Sequence, residues 1–118
     1  MSTGPEELRV RTKKFAVRIV RMYKSLPHAT DAQVLGKQLL RCGTSVAANY
    51  RAACRARSRA EWIAKIGIVV EEADETVFWL EMLEDCGIVV KERNTEILKE
   101  AHELSALFTA SQRTARKK

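Results

Sequence analysis

Between Leu35 and Ala56, the residues Leu35, Leu39, Cys42, Val46, Asn49, Ala53 and Ala56 follow one another at alternating steps of four and three. That rhythm places all seven on one face of a single long helix and makes the face a packing seam for other helices. Lys37, Arg41, Thr44, Ala48, Arg51 and Arg55 repeat with the same rhythm on the opposite side. The segment is therefore apolar on one face and basic on the other, which commits the chain to helix-on-helix packing.

The chain has 118 residues, enough for one domain that buries roughly two thirds of its unfolded surface without covalent staples. No stretch approaches the roughly twenty apolar residues of a membrane span, and the first residues lack the pattern of a signal peptide, so a cytoplasmic location is expected. Cys42, Cys54 and Cys86 are odd in number and lie twelve and thirty-two positions apart. That spacing favours neither a disulfide framework nor a zinc site, and reduced packing cysteines are expected. The net charge of +6 is unevenly placed: residues 1–60 hold 13 Lys and Arg against 3 acids, and residues 61–118 hold 8 against 12. Such asymmetry fits a basic surface for a polyanion, or two halves that neutralise each other in the fold.

Punctuation divides the chain into four helices. Pro5 with Glu6 and Glu7 marks a helix start, since proline tolerates the first turn and carboxylates favour the positive end of the dipole. An apolar stripe of Leu8, Phe15, Ile19, Met22 and Leu26 follows, and Pro27 closes the helix by disfavouring helical geometry at Leu26. Thr30 to Gln33 matches a capping box, which predicts a second helix running to about Arg57. Ser58 to Glu61 matches another and opens a third. One unbroken helix from Thr30 to Cys86 would span about 85 Å at 1.5 Å per residue, leaving too little chain to cover its apolar face, so a hairpin is expected. Gly87 suits the left-handed residue after a helix, and Ile88 to Arg93 form a connection. Asn94 or Thr95 is placed to cap a fourth helix carrying Ile97, Leu98, Ala101, Leu104, Leu107 and Phe108. Residues 1–112 then form an all-α, antiparallel up-and-down four-helix bundle, and residues 113–118 a basic disordered tail.

The third helix is apolar on two sides. Trp62, Ile66, Val69, Val70, Ala73, Val77 and Leu80 form the side expected to face the interior. Ala64, Ile68, Glu71, Glu75, Phe78 and Met82, with Trp79 beside them, form a second stripe that needs a covering partner. A second subunit is the favoured partner, because exposed Phe78, Trp79 and Met82 would make an apolar patch unusual in a monomer. Ile68, Glu71, Glu75, Phe78, Trp79 and Met82 are thus candidate interface residues. The alternative packs both aromatics against the Ile88 to Arg93 connection and leaves the glutamates solvated. Glu71 and Glu75 are also placed to pair with Arg41, Arg51 or Arg55. Asn49, within the second helix's seam, is expected to bond to a neighbouring helix and fix register. Gly36 and Gly43 forgo helix propensity beside the same seam, which predicts close approach of another backbone.

Chemistry is sparse. His28 and His102 fall in no metal-binding motif, the glycines build no phosphate loop, and Ser45 and Ser58 lack a base at recognisable spacing. Glu71, Glu72 and Glu75 are better explained by charge pairing than by acid–base work. No metal, cofactor or catalytic residue is expected. Basic side chains remain: Arg11, Lys14, Arg18 and Arg21 follow steps of three, four and three along about 15 Å of helix, with Lys37, Arg41, Arg51, Arg55, Arg57 and Arg59 and the four charges of the tail adding to them. Aromatics do not interleave with these arginines, so binding is expected through the nucleic-acid backbone with weak sequence preference.

The runs Ser45-Val46-Ala47-Ala48-Asn49-Tyr50-Arg51-Ala52-Ala53, Arg57-Ser58-Arg59-Ala60-Glu61-Trp62 and Glu71-Glu72-Ala73-Asp74-Glu75-Thr76, with Trp79-Leu80, resemble a bacterial four-helix-bundle family. It is named for proteins encoded in intervening sequences of large-subunit ribosomal RNA genes. More distantly, the chain resembles the accessory variability protein of diversity-generating retroelements. The resemblance covers about residues 8–110. It implies a ring-like homopentamer without an enzymatic site and, for the retroelement relatives, a basic surface that engages RNA or DNA and a reverse transcriptase. Many members carry glutamate three residues after the motif asparagine, where this chain has Ala52.

Two functional classes follow. The first is a non-catalytic, homo-oligomeric accessory or scaffold that binds nucleic acid through Arg11, Lys14, Arg18, Arg21, Lys37, Arg55 and Arg59, with Asn49, Arg41 and Arg51 as structural polar groups. The second is a protein-interaction scaffold whose arginines are consumed by the third helix's glutamates. A small-molecule enzyme ranks below both.

Overall fold

The computed structural model describes residues 4–117; residues 1–3 and 118 lie outside it. Helix α1 spans Pro5–Lys24, α2 Thr30–Cys54, α3 Arg59–Asp85 and α4 Lys91–Lys117. Connections of four or five residues force each helix to return antiparallel to the one before. α1 packs along α2, α2 along α3 and α3 along α4, while α1 and α4 meet over a shorter stretch. The result is an all-α up-and-down four-helix bundle with extents of 47 × 26 × 21 Å.

The helix ends agree with their signals in part. Pro5 opens α1 with Glu6 and Glu7 in its first turn. Ser58 caps α3, its hydroxyl accepting the Glu61 amide at 3.1 Å. Gly87 has φ +71°, and its N–H donates to Glu84 O while the Ile88 N–H reaches back to Leu83 O, the pair of bonds that defines a Schellman end. The Thr30 capping box does not form. Ala29 precedes α2 without a side-chain cap, and Gln33 turns back to the connection, donating to Pro27 O at 2.9 Å and accepting from the Tyr23 hydroxyl at 3.0 Å. α2 also ends at Cys54 rather than near Arg57. α4 begins at Lys91, ahead of both expected caps, and stays helical through Lys117. Residues 113–117 are therefore helical where a loose tail was expected, and the tail's last residue, Lys118, lies outside the described residues.

Packing rotates the α2 seam away from the one that apolarity alone selects. The buried line is Ala32, Gly36, Leu39, Gly43, Val46, Tyr50 and Ala53, again at steps of four and three. Leu39, Val46 and Ala53 are common to both lines and Cys42 is also buried, while Leu35, Asn49 and Ala56 are only half-buried. The cause is α1: a Cβ on Gly43 would stand 2.8 Å from two carbons of Ile19, and one on Gly36 would stand 2.6 Å from Leu26 Cδ1. The close neighbours are thus side chains of the α1 hairpin arm, not its backbone. Tyr50 completes the line and joins three helices, its ring 5.1 Å from Phe108 and 6.4 Å edge-on from Trp62. Burial pushes its phenol pKa up.

The register-fixing asparagine is a different one. Asn49 donates to Ser45 O at 2.9 Å within its own helix. Asn94, fully buried, donates from Nδ2 to Leu80 O and to Glu84 Oε1, both at 3.0 Å, and so ties the start of α4 to the end of α3. Its Oδ1 is buried without a hydrogen-bond partner among the described residues, a cost of about 1–3 kcal/mol offset by the two bonds on the other side of the amide. Of the cysteines, Cys42 is buried with its thiol pKa raised by burial. Cys54 is half-buried, whereas Cys86 is exposed and is not a packing residue.

Candidate nucleic-acid interface

Three of the expected polar residues are engaged inside the protomer. Arg11 donates from Nε and Nη2 to the Glu100 carboxylate at 2.8 and 2.7 Å and from Nη2 to Glu103 at 2.8 Å. This two-pronged pairing ties α1 to α4, and the bond to Glu100 holds the guanidinium pKa above its ordinary value. Arg11 thus clamps α1 to α4, and it reaches a phosphate only by giving up these bonds. Arg41 bridges to Glu72 at 3.2 Å and also pairs with Glu75. The expected partner Glu71 is exposed without an ion pair among the described residues. Arg59 donates through Nε to Ala115 O at 3.0 Å, joining the start of α3 to the last turns of α4.

On the outer face of α3, Ile68 and Phe78 are 43% and 49% exposed, while Trp79 and Met82 are half-buried. Phe78 lies edge-on to Trp79 at 4.9 Å, and the Trp79 indole N–H donates to Glu75 at 3.1 Å. Glu75 therefore meets both Arg41 and Trp79 within the protomer. Its charge and the indole's polar edge are already matched, and the apolar ring of Phe78 is what remains outside.

Helical spacing puts Lys14, Arg18 and Arg21 on the side of α1 that Arg11 turns toward α4. Lys14, Arg21 and Lys37 are exposed and Arg18 half-buried; Lys14 shares a groove at the start of α1 with Arg11, Glu6 and Glu7, where two carboxylates oppose the two cations. The groove that gathers cations lies on the other side, between α1 and α2. Arg9 and Lys13 line it from one helix, Arg51 and Arg55 from the other, and Thr44, Ala47 and Ala48 form its floor; its volume is about 570 Å³. A second groove of about 400 Å³ between α2 and α3 shares Arg51 and Arg55 and adds Arg57 and Lys65, with Glu61 as its one acid. Arg9 pairs with Glu6. Lys13, Arg51, Arg55, Arg57 and Lys65 have no ion pair among the described residues.

The antiparallel turn between α2 and α3 creates this concentration. Cutting each helix at its middle, the end of the bundle that carries this turn holds twelve Lys and Arg against four acids, and the opposite end eight against eleven. The bundle is 47 Å long and salt screens charge over roughly 8–10 Å, so the acidic end does not neutralise the basic one. The difference along the chain thus becomes a difference between the two ends. Small floor residues let a polyanion approach the walls closely, and five unpaired cations offer it point charges and flat guanidinium forks. Among the described residues no three His, Cys, Asp or Glu side chains converge as a metal site, and no helix is long and apolar enough to cross a membrane.

Arg9, Lys13 and Lys65 were not singled out by the spacing along any one helix. Their signal is antiparallel register: with Ile19 opposite Gly43, Arg9 and Lys13 come to lie along the turns of α2 that hold Ala47 and Arg51.

Comparison with curated proteins gives no match. Among solved structures, the chain is similar to a protein of unknown function from the S23 ribosomal protein family of Bacteroides thetaiotaomicron, with 37% identity and a TM-score of 0.86. The match covers 92% of this chain and 97% of that one. Residues 6–110, nearly the whole bundle, match the family described as 23S rRNA-intervening sequence protein. On that match, and with a solved relative of the same overall fold, the chain belongs to the 23S rRNA-intervening sequence protein family.

Proposed function

We propose that this protein is a non-catalytic scaffold that associates with copies of itself and holds a nucleic-acid backbone at its basic end. The observation that carries the reading is the pair of grooves walled by Lys13, Arg51, Arg55, Arg57 and Lys65. Phosphates crossing these grooves meet several cations at once, and no aromatic ring lines either groove to read bases, which favours backbone recognition with weak sequence preference. With about five phosphates neutralised, affinity should fall a hundredfold or more between 50 and 200 mM salt. Titration of a structured RNA at those two salt concentrations tests this; binding indifferent to salt, or none at the lower one, defeats it.

Self-association is proposed through the outer face of α3, where Ile68 and Phe78 are the exposed apolar residues. The resemblance to ring-forming relatives supports a closed assembly of five. Light scattering is expected to return a multiple of the 13.3 kDa chain, and Phe78→Glu to reduce it to one chain. A wild-type protein with the mass of a single chain in dilute solution defeats the assembly but not the phosphate grooves.

A further inference from the structure

A third groove at the basic end is built differently from the two phosphate grooves. It opens where the starts of α1 and α3 meet the last turns of α4, holds about 510 Å³, and is lined by Leu8, Arg59, Trp62, Leu107, Ser111 and Thr114 among others. That volume lies within the range of small-ligand sites, roughly 300–1,000 Å³. Its walls are an indole, two leucines and two hydroxyls, with no carboxylate. The ring of Trp62 is steadied from behind by the edge-on contact with Tyr50, and its indole N–H has no hydrogen-bond partner among the described residues. Arg59 is anchored at the rim by its bonds to Ala115 O.

This groove lies at the same end of the bundle as the two phosphate grooves, and its lining residues Leu8 and Arg59 are close in sequence to residues that line them. Leu8 precedes Arg9 of the α1–α2 groove, and Arg57, which lines the α2–α3 groove, lies two residues before Arg59. A ligand held here therefore joins a flat apolar or aromatic part, with polar edges, to a chain of negative charge. A nucleotide has that composition: the base presents a π face to Trp62 and polar edges to the Thr114 hydroxyl and to Ser111 Oγ, which donates to Leu107 O at 3.0 Å and so accepts from the base. A neutral apolar side chain would leave the indole N–H, the two hydroxyls and the charge of Arg59, the one cation in the lining, unmatched.

We infer that the Trp62 groove receives an unpaired nucleobase, so that the preferred ligand is a duplex with a single-stranded end. This rests on the backbone-binding reading above and narrows its substrate class. Base-on-aromatic stacking strengthens binding by roughly fivefold to a hundredfold per base.

The test uses the full chain carrying Trp79→Phe, which leaves Trp62 as the one tryptophan of the two in the sequence. Its emission and affinity are measured at low salt with three RNAs: a blunt duplex, the same duplex with a short unpaired adenosine overhang, and the same duplex with an overhang of abasic sugar-phosphate units. The expected result is quenching by the adenosine overhang alone, and binding at least fivefold tighter than to the abasic one. Trp62→Leu, in a chain confirmed to be folded, should remove the difference between those two ligands. Equal affinity for adenosine and abasic overhangs, or no quenching on binding, overturns the base site while leaving the phosphate grooves in place. Failure of all three RNAs to bind overturns the backbone reading itself and this inference with it.

Discussion

The double variant Arg51→Glu/Arg55→Glu should lose about a hundredfold in affinity for structured RNA at low salt, with its salt dependence reduced by about two phosphate equivalents. Both side chains line both phosphate grooves, so no path across either avoids them. Each reversal removes an attraction and introduces a repulsion, and a charge pair near 4 Å is worth about 1 kcal/mol even in water. Four such terms, reduced by salt screening, leave roughly 3 kcal/mol over two positions, about a hundredfold in binding. The dependence of affinity on salt concentration should fall by about 0.9 per lost contact on a duplex. Stability should change little, because both residues are exposed and surface substitutions usually fall within ~0.5 kcal/mol. The control is Lys14→Glu/Arg21→Glu, which alters net charge by the same amount on exposed positions of α1 outside these grooves. It should cost less than fivefold. Equal losses from the two pairs, measured by titration at matched salt, would mean that net charge alone governs binding and that the grooves have no special part.

That contrast separates what the sequence made legible from what it did not. The four helices could be read from Pro5, Ser58 and Gly87, because each acts on its own backbone within a few residues. Periodicity likewise found Leu39, Val46 and Ala53. The direction in which a seam points was less legible, since Gly36 and Gly43 are buried by the α1 arm and Tyr50 by Trp62 and Phe108, not by their own hydropathy. Asn94 was misplaced as a cap because its partners, Leu80 and Glu84, belong to the preceding helix. The charged residues divided along the same line. Arg41 and Glu75 were found as partners, while Arg11 was read as a phosphate contact because nothing in α1 announces Glu100 and Glu103 some ninety residues away. Groove formation is a relation between helices, so the stripe of one helix could not reveal that Lys13, Arg51 and Lys65 gather at a single end.

Gly43→Leu should destabilise the fold by about 3 kcal/mol, the upper part of the range for overpacked cores, lowering the melting temperature by on the order of 10 °C. Helix propensity alone predicts the opposite sign, since glycine inside a helix costs about 1 kcal/mol relative to good helix formers. Sterics decide. A Cβ at position 43 would come within 2.8 Å of both Cγ1 and Cγ2 of Ile19 and 3.2 Å of its Cβ. Ile19 is fully buried and β-branched, so its rotamers in a helix are restricted and the obstructing atoms lie close to its backbone. Relief therefore requires α1 to move away from α2, which opens the contacts of Phe15 and Met22 as well. Gly36 makes the comparison: its closest obstruction is Leu26 Cδ1, the far end of a flexible side chain in the connection after α1. Gly36→Ala should accordingly cost less than Gly43→Ala even though the bare distance at Gly36 is shorter. Shrinking the obstruction with Ile19→Ala should return part of the stability lost in Gly43→Leu, so that the double variant is more stable than the sum of the two single changes predicts. Chemical denaturation of the four proteins in that cycle measures the coupling. Additive losses would mean that Ile19 does not set the spacing of the α1–α2 pair, and the groove floored by Ala47 and Ala48, which depends on that spacing, would lose its structural basis.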